Sequence, residues 1–257
     1  MARAQVISTF CQPVGRTVWD SAAWVTYYES NAKNLGVIPW ERGGELSTEE
    51  RASIAASVQD FQLGESSEGL HLQRCAKEWA EKTGDRDYPE AIRLFTKEEQ
   101  RHASNLADFL KLNGIGLISK SWTDALFRRV RRMAGLELSI RVLLCAEIVA
   151  QVYYDALRDA TNSSVLRAIC DQILKDEAEH VRFQCERLAI FARKHGAFAR
   201  LLRNCFQYSL MTAVLPIVWV RHRRAYLAGG YHARRFAKET WLAFRRGMAI
   251  ADPSSYE

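Results

Sequence analysis

The sequence has few residues that interrupt helices. Only five of its 257 residues are proline and fourteen are glycine, whereas Ala, Leu, Glu and Arg are abundant. Sandwiches and barrels need many turn residues, so this composition argues against them and favours long helices. Hydrophobic residues make up 48% of the chain, which is enough for one substantial core. We therefore predict an all-α fold, with one globular domain and peripheral elements.

The cysteines form no metal-binding or disulfide motif. They are scattered without a Cys-x-x-Cys spacing, and most lie in apolar helical patterns, which is typical of a reducing compartment: Cys11, Cys75, Cys145, Cys170, Cys185 and Cys205. The N-terminal apolar run is too weak for a signal peptide, and the longest apolar stretch, 206 to 220, is interrupted by Pro216. We predict a cytoplasmic protein and leave a contact of 206 to 220 with a membrane surface open.

Motifs for nucleotide binding and for nucleophilic catalysis are also missing. The sequence contains no glycine-rich phosphate loop, no dinucleotide fingerprint and no nucleophile elbow. We therefore expect no nucleotide cofactor on this chain.

Acidic residues are scarce in the C-terminal part. The net charge is +6, and residues 193 to 257 contain twelve Lys or Arg but only three acids. Such an excess fits an anionic partner, a nucleic acid, a membrane surface or a solvated face.

The helix patterns divide the chain into three parts. Residues 1–46 are rich in aromatic residues and are expected to cover a core. Residues 47–196 are predicted to contain four long helices, at about 48 to 83, 89 to 113, 136 to 160 and 164 to 195. Their starts and stops are marked by caps such as Ser47-Thr48-Glu49-Glu50 and by glycines. A short basic helix is expected at 122 to 133, and residues 197–257 are expected to form two further helices packed on the bundle.

Two of the long helices carry the same motif within an apolar row. The motif is Glu-x-x-His, formed by Glu99 and His102 in the second helix and by Glu177 and His180 in the fourth. In the helix before each motif, a glutamate lies on a similar apolar row about thirty residues earlier, Glu68 before Glu99 and Glu147 before Glu177. Two antiparallel helix hairpins would therefore bring six side chains together: Glu68, Glu99, His102, Glu147, Glu177 and His180.

Four carboxylates facing one another in a core would repel and would lose their hydration. Each such ion costs several kcal/mol, which folding stability alone does not easily absorb. Two divalent cations would balance the four charges, and oxygen with imidazole ligands suits iron or manganese. The pattern therefore predicts a dinuclear metal site.

Other residues compete for roles beside these six. Glu65 competes with Glu68 for the ligand position on the first helix, although the repeat spacing favours Glu68. His71, three residues after Glu68, is either an extra ligand or a hydrogen-bonding histidine outside the ligand shell.

The residue before each motif glutamate has a predicted supporting role. Glu98 and Asp176 can accept the free imidazole N–H of the opposite histidine, His180 and His102 respectively. The alternative is that Glu98 is merely exposed.

Three residues near Glu147 are candidates for a substrate cavity or for electron transfer. They are Gln151, Tyr153 and Tyr154, and the alternative is that the tyrosines are ordinary core aromatics.

The segments Glu98-Glu99-Gln100-Arg101-His102 and Asp176-Glu177-Ala178-Glu179-His180 resemble the paired motifs of acyl-carrier-protein desaturases and related ferritin-like di-iron proteins. The resemblance spans residues 60 to 185 and implies a ferritin-like four-helix bundle. It also implies that Glu99 and Glu177 bridge two metal ions. Glu68 and Glu147 would then each bind one ion, with His102 and His180 as terminal ligands.

From this pattern we expect a non-haem di-iron oxidoreductase that uses dioxygen to hydroxylate or desaturate an organic substrate. Two iron ions are expected, with Fe/Mn or Mn/Mn pairs left open. An external donor such as a ferredoxin or a reductase would supply electrons, and we expect a monomer or homodimer. The alternatives are a ferroxidase or iron-handling protein and a tRNA-directed hydroxylase.

Overall fold

The computed structural model of the chain describes residues 17–67, 69–121 and 135–256, and these residues contain helices but no β-strand. This confirms the predicted all-α class. The short basic helix expected at 122–133 lies outside the described residues. In chain order the α-helices are α1 (Ser21–Asn31), α2 (Thr48–Glu65), α3 (Leu70–Thr83), α4 (Tyr88–Leu112), α5 (Leu136–Asp159), α6 (Ser164–Ala192), α7 (Ala197–Ala228) and α8 (Ala233–Ile250).

Local capping explains where several helices begin. The Ser47 hydroxyl accepts from the Glu50 backbone amide, and the Glu50 carboxylate accepts from the Ser47 amide, so α2 starts with a reciprocal capping box. Ser163 caps α6 in a similar way by accepting from the amide of Leu166. These starts agree with the sequence prediction.

The first long helix is not continuous, so the prediction of one helix over 48 to 83 is wrong. α2 ends at Glu65 and α3 begins at Leu70. Gly69 has φ +65°, in the left-handed region, and a Cβ there would lie 2.7 Å from Thr96 Oγ1 on α4. The chain therefore turns where it passes close to α4, and Glu65 falls in the last turn of α2.

The helices form a bundle with outer helices packed around it. α4 lies against α2 and α3, while α5 and α6 form a hairpin; α4 also contacts α6, and α3 contacts α5. The space between these helices is filled by fully buried apolar side chains such as Ile92, Leu106, Leu144, Ile169 and Ile173. α7 packs on α2 and α5, and α8 packs on α5 and α6.

The N-terminal helix α1 lies against α4 and brings aromatic side chains onto the bundle. Trp24 and Tyr28 are buried, with ring centroids 5.1 and 5.6 Å from that of Phe183 on α6. The Trp19 amide and the Trp24 indole N–H both donate to Glu186. α1 is therefore held by apolar packing and by buried hydrogen bonds.

The apolar stretch 206 to 220 forms the middle of α7. Among the described helices, none is both long and apolar enough for a membrane span.

A close approach between α5 and the end of α7 gives a test of the packing. A Cβ on Gly229 would lie 2.0 Å from the Ala156 carbonyl oxygen. Forcing extra volume into such a contact costs about 1–3 kcal/mol, so we expect Gly229→Ala to lower Tm by roughly 5 °C. Gly116→Ala is the control, because its Cβ would meet no atom within 4 Å. Equal melting temperatures for the two variants would contradict the packing of α7 on α5.

Candidate metal centre

Six ionisable side chains from four helices meet in the bundle core. Their ligand atoms form two groups, and within each group all atoms lie within 4.8 Å of one another. Glu99 and Glu177 belong to both groups. One group adds Glu65 and His102, and the other adds Glu147 and His180. Each group could hold a metal ion, and the two groups share Glu99 and Glu177.

The structure brings together five of the six residues that the sequence proposed as ligands. The sixth, Glu68, lies outside the described residues. Glu65, which the repeat spacing ranked below Glu68, occupies the corresponding place in the cluster. Glu65 is the last residue of α2.

The donor atoms fit a cation because they have few other partners. His102 Nδ1 and both carboxylate oxygens of Glu177 are buried without a hydrogen-bond partner in the described part of the chain. His102 Nδ1 lies 3.7 Å from Glu177 Oε1, and His180 Nδ1 lies 3.0 Å from Glu99 Oε1. Unpaired buried polar atoms are costly. Carboxylate oxygen and imidazole nitrogen are ligands that suit iron or manganese.

Each histidine is oriented by a carboxylate on the opposite helix. His102 Nε2 lies 3.0 Å from Asp176 Oδ2, and His180 Nε2 lies 3.0 Å from Glu98 Oε2. This is the crossed pairing that the sequence motif predicts, and Glu98 is buried rather than exposed. If each Nε2–H donates to its carboxylate, the lone pair of each Nδ1 is directed toward the cluster.

The carboxylates of Asp176 and Glu98, which lie behind the histidines and are called the outer carboxylates, are held in the ionised form. Burial alone would raise the pKa of Asp176, but hydrogen bonds from His102 and Asn31 lower it well below its ordinary value. Burial likewise opposes ionisation of Glu98, yet the hydrogen bond from His180 lowers the pKa of that carboxyl. An ionised acceptor strengthens the orientation of each imidazole ring.

Sequence reasoning missed the side chain that joins the two outer carboxylates. Asn31 Nδ2, at the end of α1, donates to Glu98 Oε1 and to Asp176 Oδ1, at 2.7 Å each. Arg101 also donates to Asp176 Oδ2, at 2.7 Å. Arg101 lies within the motif and could have been found there, whereas no local pattern marks Asn31, which is 67 residues from Glu98.

Three carboxyl groups of the cluster, those of Glu65, Glu99 and Glu177, have raised pKa values. Burial and the nearby Glu99 raise the pKa of Glu65 to about 8. Burial and the charges of Glu147 and Glu99 raise the pKa of Glu177 well above its ordinary value. Without a cation the cluster therefore retains protons at neutral pH, which a metal ion would displace.

His71 does not belong to either group of ligand atoms. Its Nδ1 lies 3.1 Å from an Arg74 guanidinium nitrogen, and its Nε2 lies 3.4 Å from Ser139 Oγ on α5. The position agrees with a hydrogen-bonding histidine between α3 and α5.

The three candidates that follow Glu147 on α5, namely Gln151, Tyr153 and Tyr154, make different contacts. The Tyr154 hydroxyl donates to Glu65 Oε1 at 2.8 Å, and Gln151 Nε2 donates to the Glu177 backbone carbonyl at 2.9 Å. Tyr153 stacks on Phe61 with ring centroids 3.5 Å apart. Tyr154 is therefore the tyrosine in direct contact with the cluster, while Tyr153 packs between α2 and α5.

A cavity of about 160 Å³ opens onto the cluster between α2, α5 and α7. Glu65, Glu99 and Glu147 line it, and most of the remaining wall is apolar. The cluster can therefore be reached by a small molecule.

Comparison with known proteins finds no matching family model, no similar curated protein and no similar solved structure. The geometry of the site therefore carries the functional argument.

The raised pKa of Glu65 predicts how the stability of the metal-free chain depends on pH. Between its ordinary value of 4.5 and about 8, the folded chain holds a proton that the unfolded chain has released. This stabilisation is complete below pH 4.5 and is lost as pH rises through 8. We expect Tm of the metal-free chain to fall by roughly 5–10 °C from pH 5 to pH 8, as measured by circular dichroism.

Glu65→Gln should flatten this dependence, because the amide stays neutral and its carbonyl can still accept from Tyr154. Equal slopes of Tm against pH for the metal-free wild type and for Glu65→Gln would contradict the raised pKa of Glu65.

Asn31 does not belong to the ligand groups, but its contacts predict that its replacement weakens metal binding. Asn31→Ala removes the donor shared by Glu98 and Asp176, so the histidines lose orientation, and we expect Co²⁺ to bind about tenfold more weakly. Binding can be followed by visible absorption. Asn34→Ala is the matched control, since Asn34 donates to the Ser30 carbonyl and is exposed. Equal affinities of the two variants would show that Asn31 does not support the site.

Proposed function

We propose that the chain binds two iron ions in the cluster and uses them with dioxygen to oxidise an organic substrate. The observation that supports this most is the pair of ligand groups that share Glu99 and Glu177. A single-ion site would not need two carboxylates common to two groups. In this proposal the bundle is ferritin-like and the protein is an oxidoreductase.

The charge of the cluster fits two divalent ions. Glu65, Glu99, Glu147 and Glu177 supply four negative charges when ionised, and two divalent cations would balance them. His102 and His180 would each bind one ion through Nδ1. The outer carboxylates would keep both rings in place while the ions change oxidation state.

When bound, a pair of ferrous ions would supply two electrons and open positions for dioxygen. For hydroxylation, one oxygen atom enters a C–H bond of the substrate and the other leaves as water. The balance requires two further electrons, which bound ions would supply, and two protons from solvent. An external ferredoxin or reductase would then return two electrons, since the sequence contains no nucleotide-binding motif.

The surroundings of the cluster favour an organic substrate over iron itself. The cavity that reaches Glu65, Glu99 and Glu147 has an apolar wall, including Val142, Val149 and Val214. An entry path for Fe²⁺ would be expected to carry acidic groups, whereas apolar walls suit a molecule with little hydration. Water is also limited by α1, whose Tyr28 packs near His180 with ring centroids 6.2 Å apart.

The proposal is tested by counting the iron that the chain retains. After anaerobic loading with Fe²⁺ and removal of loose metal, we expect about two ions per chain. Glu177→Gln should retain less than one, because Glu177 belongs to both groups, and Glu147→Gln should retain about one. Glu179→Gln is the matched control on the same helix, where the side chain is part-exposed and pairs with Arg182, and it should retain two.

Retention of no iron by the wild type, or equal retention by Glu177→Gln and Glu179→Gln, would contradict the site. If two ions are bound, admission of dioxygen to the loaded protein should consume about one dioxygen per chain. A large cage in solution, with iron oxide as the product, would instead assign the chain to iron storage.

A further inference from the structure

The cavity beside the cluster has two chemically different ends. On α2, Asp60 and Glu65 both line it, and they are five residues apart, which corresponds to about 7.5 Å along a helix. Glu65 belongs to the metal cluster. Asp60 faces the other end, together with His222 from α7. Apolar side chains such as Val214, Ile217 and Val218 form the wall contributed by α7.

His222 is fixed in one orientation by its neighbours. Its Nδ1 lies 2.8 Å from Ser57 Oγ on α2. The imidazole ring packs edge-on against Phe61, with centroids 5.0 Å apart, and against Tyr153, with centroids 5.8 Å apart. Because Nδ1 faces Ser57, Nε2 is the ring nitrogen left for a molecule in the cavity. A hydroxyl group could pair with Nε2 in either imidazole tautomer, since it both donates and accepts.

The charges around the cavity disfavour a charged occupant. Asp60 Oδ2 is paired with Arg221 at 2.6 Å, and burial lowers the pKa of His222 to about 4, so the imidazole is neutral at pH 7. This end of the cavity therefore offers an occupant a carboxylate that is already paired and a neutral ring. An ion of either sign would also lose hydration against the apolar wall, which is costly without a partner.

The volume limits the size of the occupant. An apolar cavity of about 150 Å³ holds one benzene molecule, and this cavity measures about 160 Å³. A single ring, or an aliphatic body of that size, fits between the two ends. A long chain or a charged macromolecule would have to leave most of its bulk outside.

We infer that the cavity binds a compact, uncharged molecule with an apolar body of about one ring and a hydroxyl group, which His222 holds through Nε2. The apolar body then lies toward Glu65, Glu99 and Glu147. His222 is a positioning residue in this arrangement, since it binds the far end of the molecule and not the atoms beside the cluster. That this molecule is the substrate rests on the proposed function; the binding itself does not.

The test uses benzyl alcohol as the probe and benzoate as its charged counterpart. Titration calorimetry is carried out on the full chain as purified, with its metal content measured, and again after chelation. We expect one benzyl alcohol per chain in both samples, with benzoate at least tenfold weaker. His222→Leu should weaken benzyl alcohol about tenfold, the loss of one hydrogen bond, and His222→Gln should recover part of the affinity.

A cavity-filling pair of variants separates this site from binding elsewhere. Ile217→Trp fills the wall and should abolish binding, whereas Val220→Trp, on the exposed face of the same helix, should leave it unchanged. Thermal melts establish that each variant is folded. Absence of benzyl alcohol binding by the wild type, or equal binding by Ile217→Trp and Val220→Trp, would overturn the inference. Because the chelated sample contains no iron, failure here is distinct from failure to retain iron.

Discussion

The constraint on which the rest of this structure depends is the placement of four carboxylates, three of them buried and that of Glu99 partly buried, beside two buried imidazoles in an apolar bundle. Glu177, His102 and His180 have no exposed surface, and several of their ligand atoms have no hydrogen-bond partner in the described chain. Such atoms are stabilised only by a shared proton or a cation. The raised pKa values of Glu65 and Glu177 have the same cause, because protonation in the metal-free chain reduces the repulsion between buried carboxylates.

The surroundings of the cluster maintain this arrangement through crossed contacts between helices. Asp176 on α6 orients His102 on α4, and Glu98 on α4 orients His180 on α6. A shift of either helix would break both pairs, so the ligand geometry and the packing of α4 on α6 stabilise each other. Asn31 extends this coupling to α1, because one side-chain amide donates to both outer carboxylates. The N-terminal helix is thus part of the site and not only a cover.

The outer helix α7 lines the cavity through which a small molecule can reach the cluster. It contributes one wall of the cavity and, through His222, a polar group at the end far from the cluster, where Arg221 of the same helix pairs with Asp60. Arg221 and His222 lie outside the stretch 60 to 185 that resembles ferritin-like di-iron proteins. In the proposed function the cluster carries out the oxidation, whereas selection of the molecule that reaches it would depend on α7.

Helix positions and most of the cluster could be predicted from local pattern. Ser47 and Ser163 marked helix starts, and the repeated Glu-x-x-His motif identified Glu99, His102, Glu177 and His180 as a set, because spacings of three and four place side chains on one helix face. The crossed roles of Glu98 and Asp176 followed from their positions beside the motif glutamates. All of these inferences use contacts within one helix or a symmetric repeat.

Only the tertiary structure decided the features that depend on contacts between distant segments. The helix breaks after Glu65, where Gly69 passes Thr96, and Glu65 belongs to the cluster although the repeat spacing favoured Glu68. Two further contacts join residues that are far apart in the chain. Asn31 and Asp176 are separated by 145 residues, and Ser57 and His222, at the far end of the cavity, by 165. Sequence periodicity reports which face of a helix is apolar, but the register and approach of one helix on another are set by the packing of all of them together.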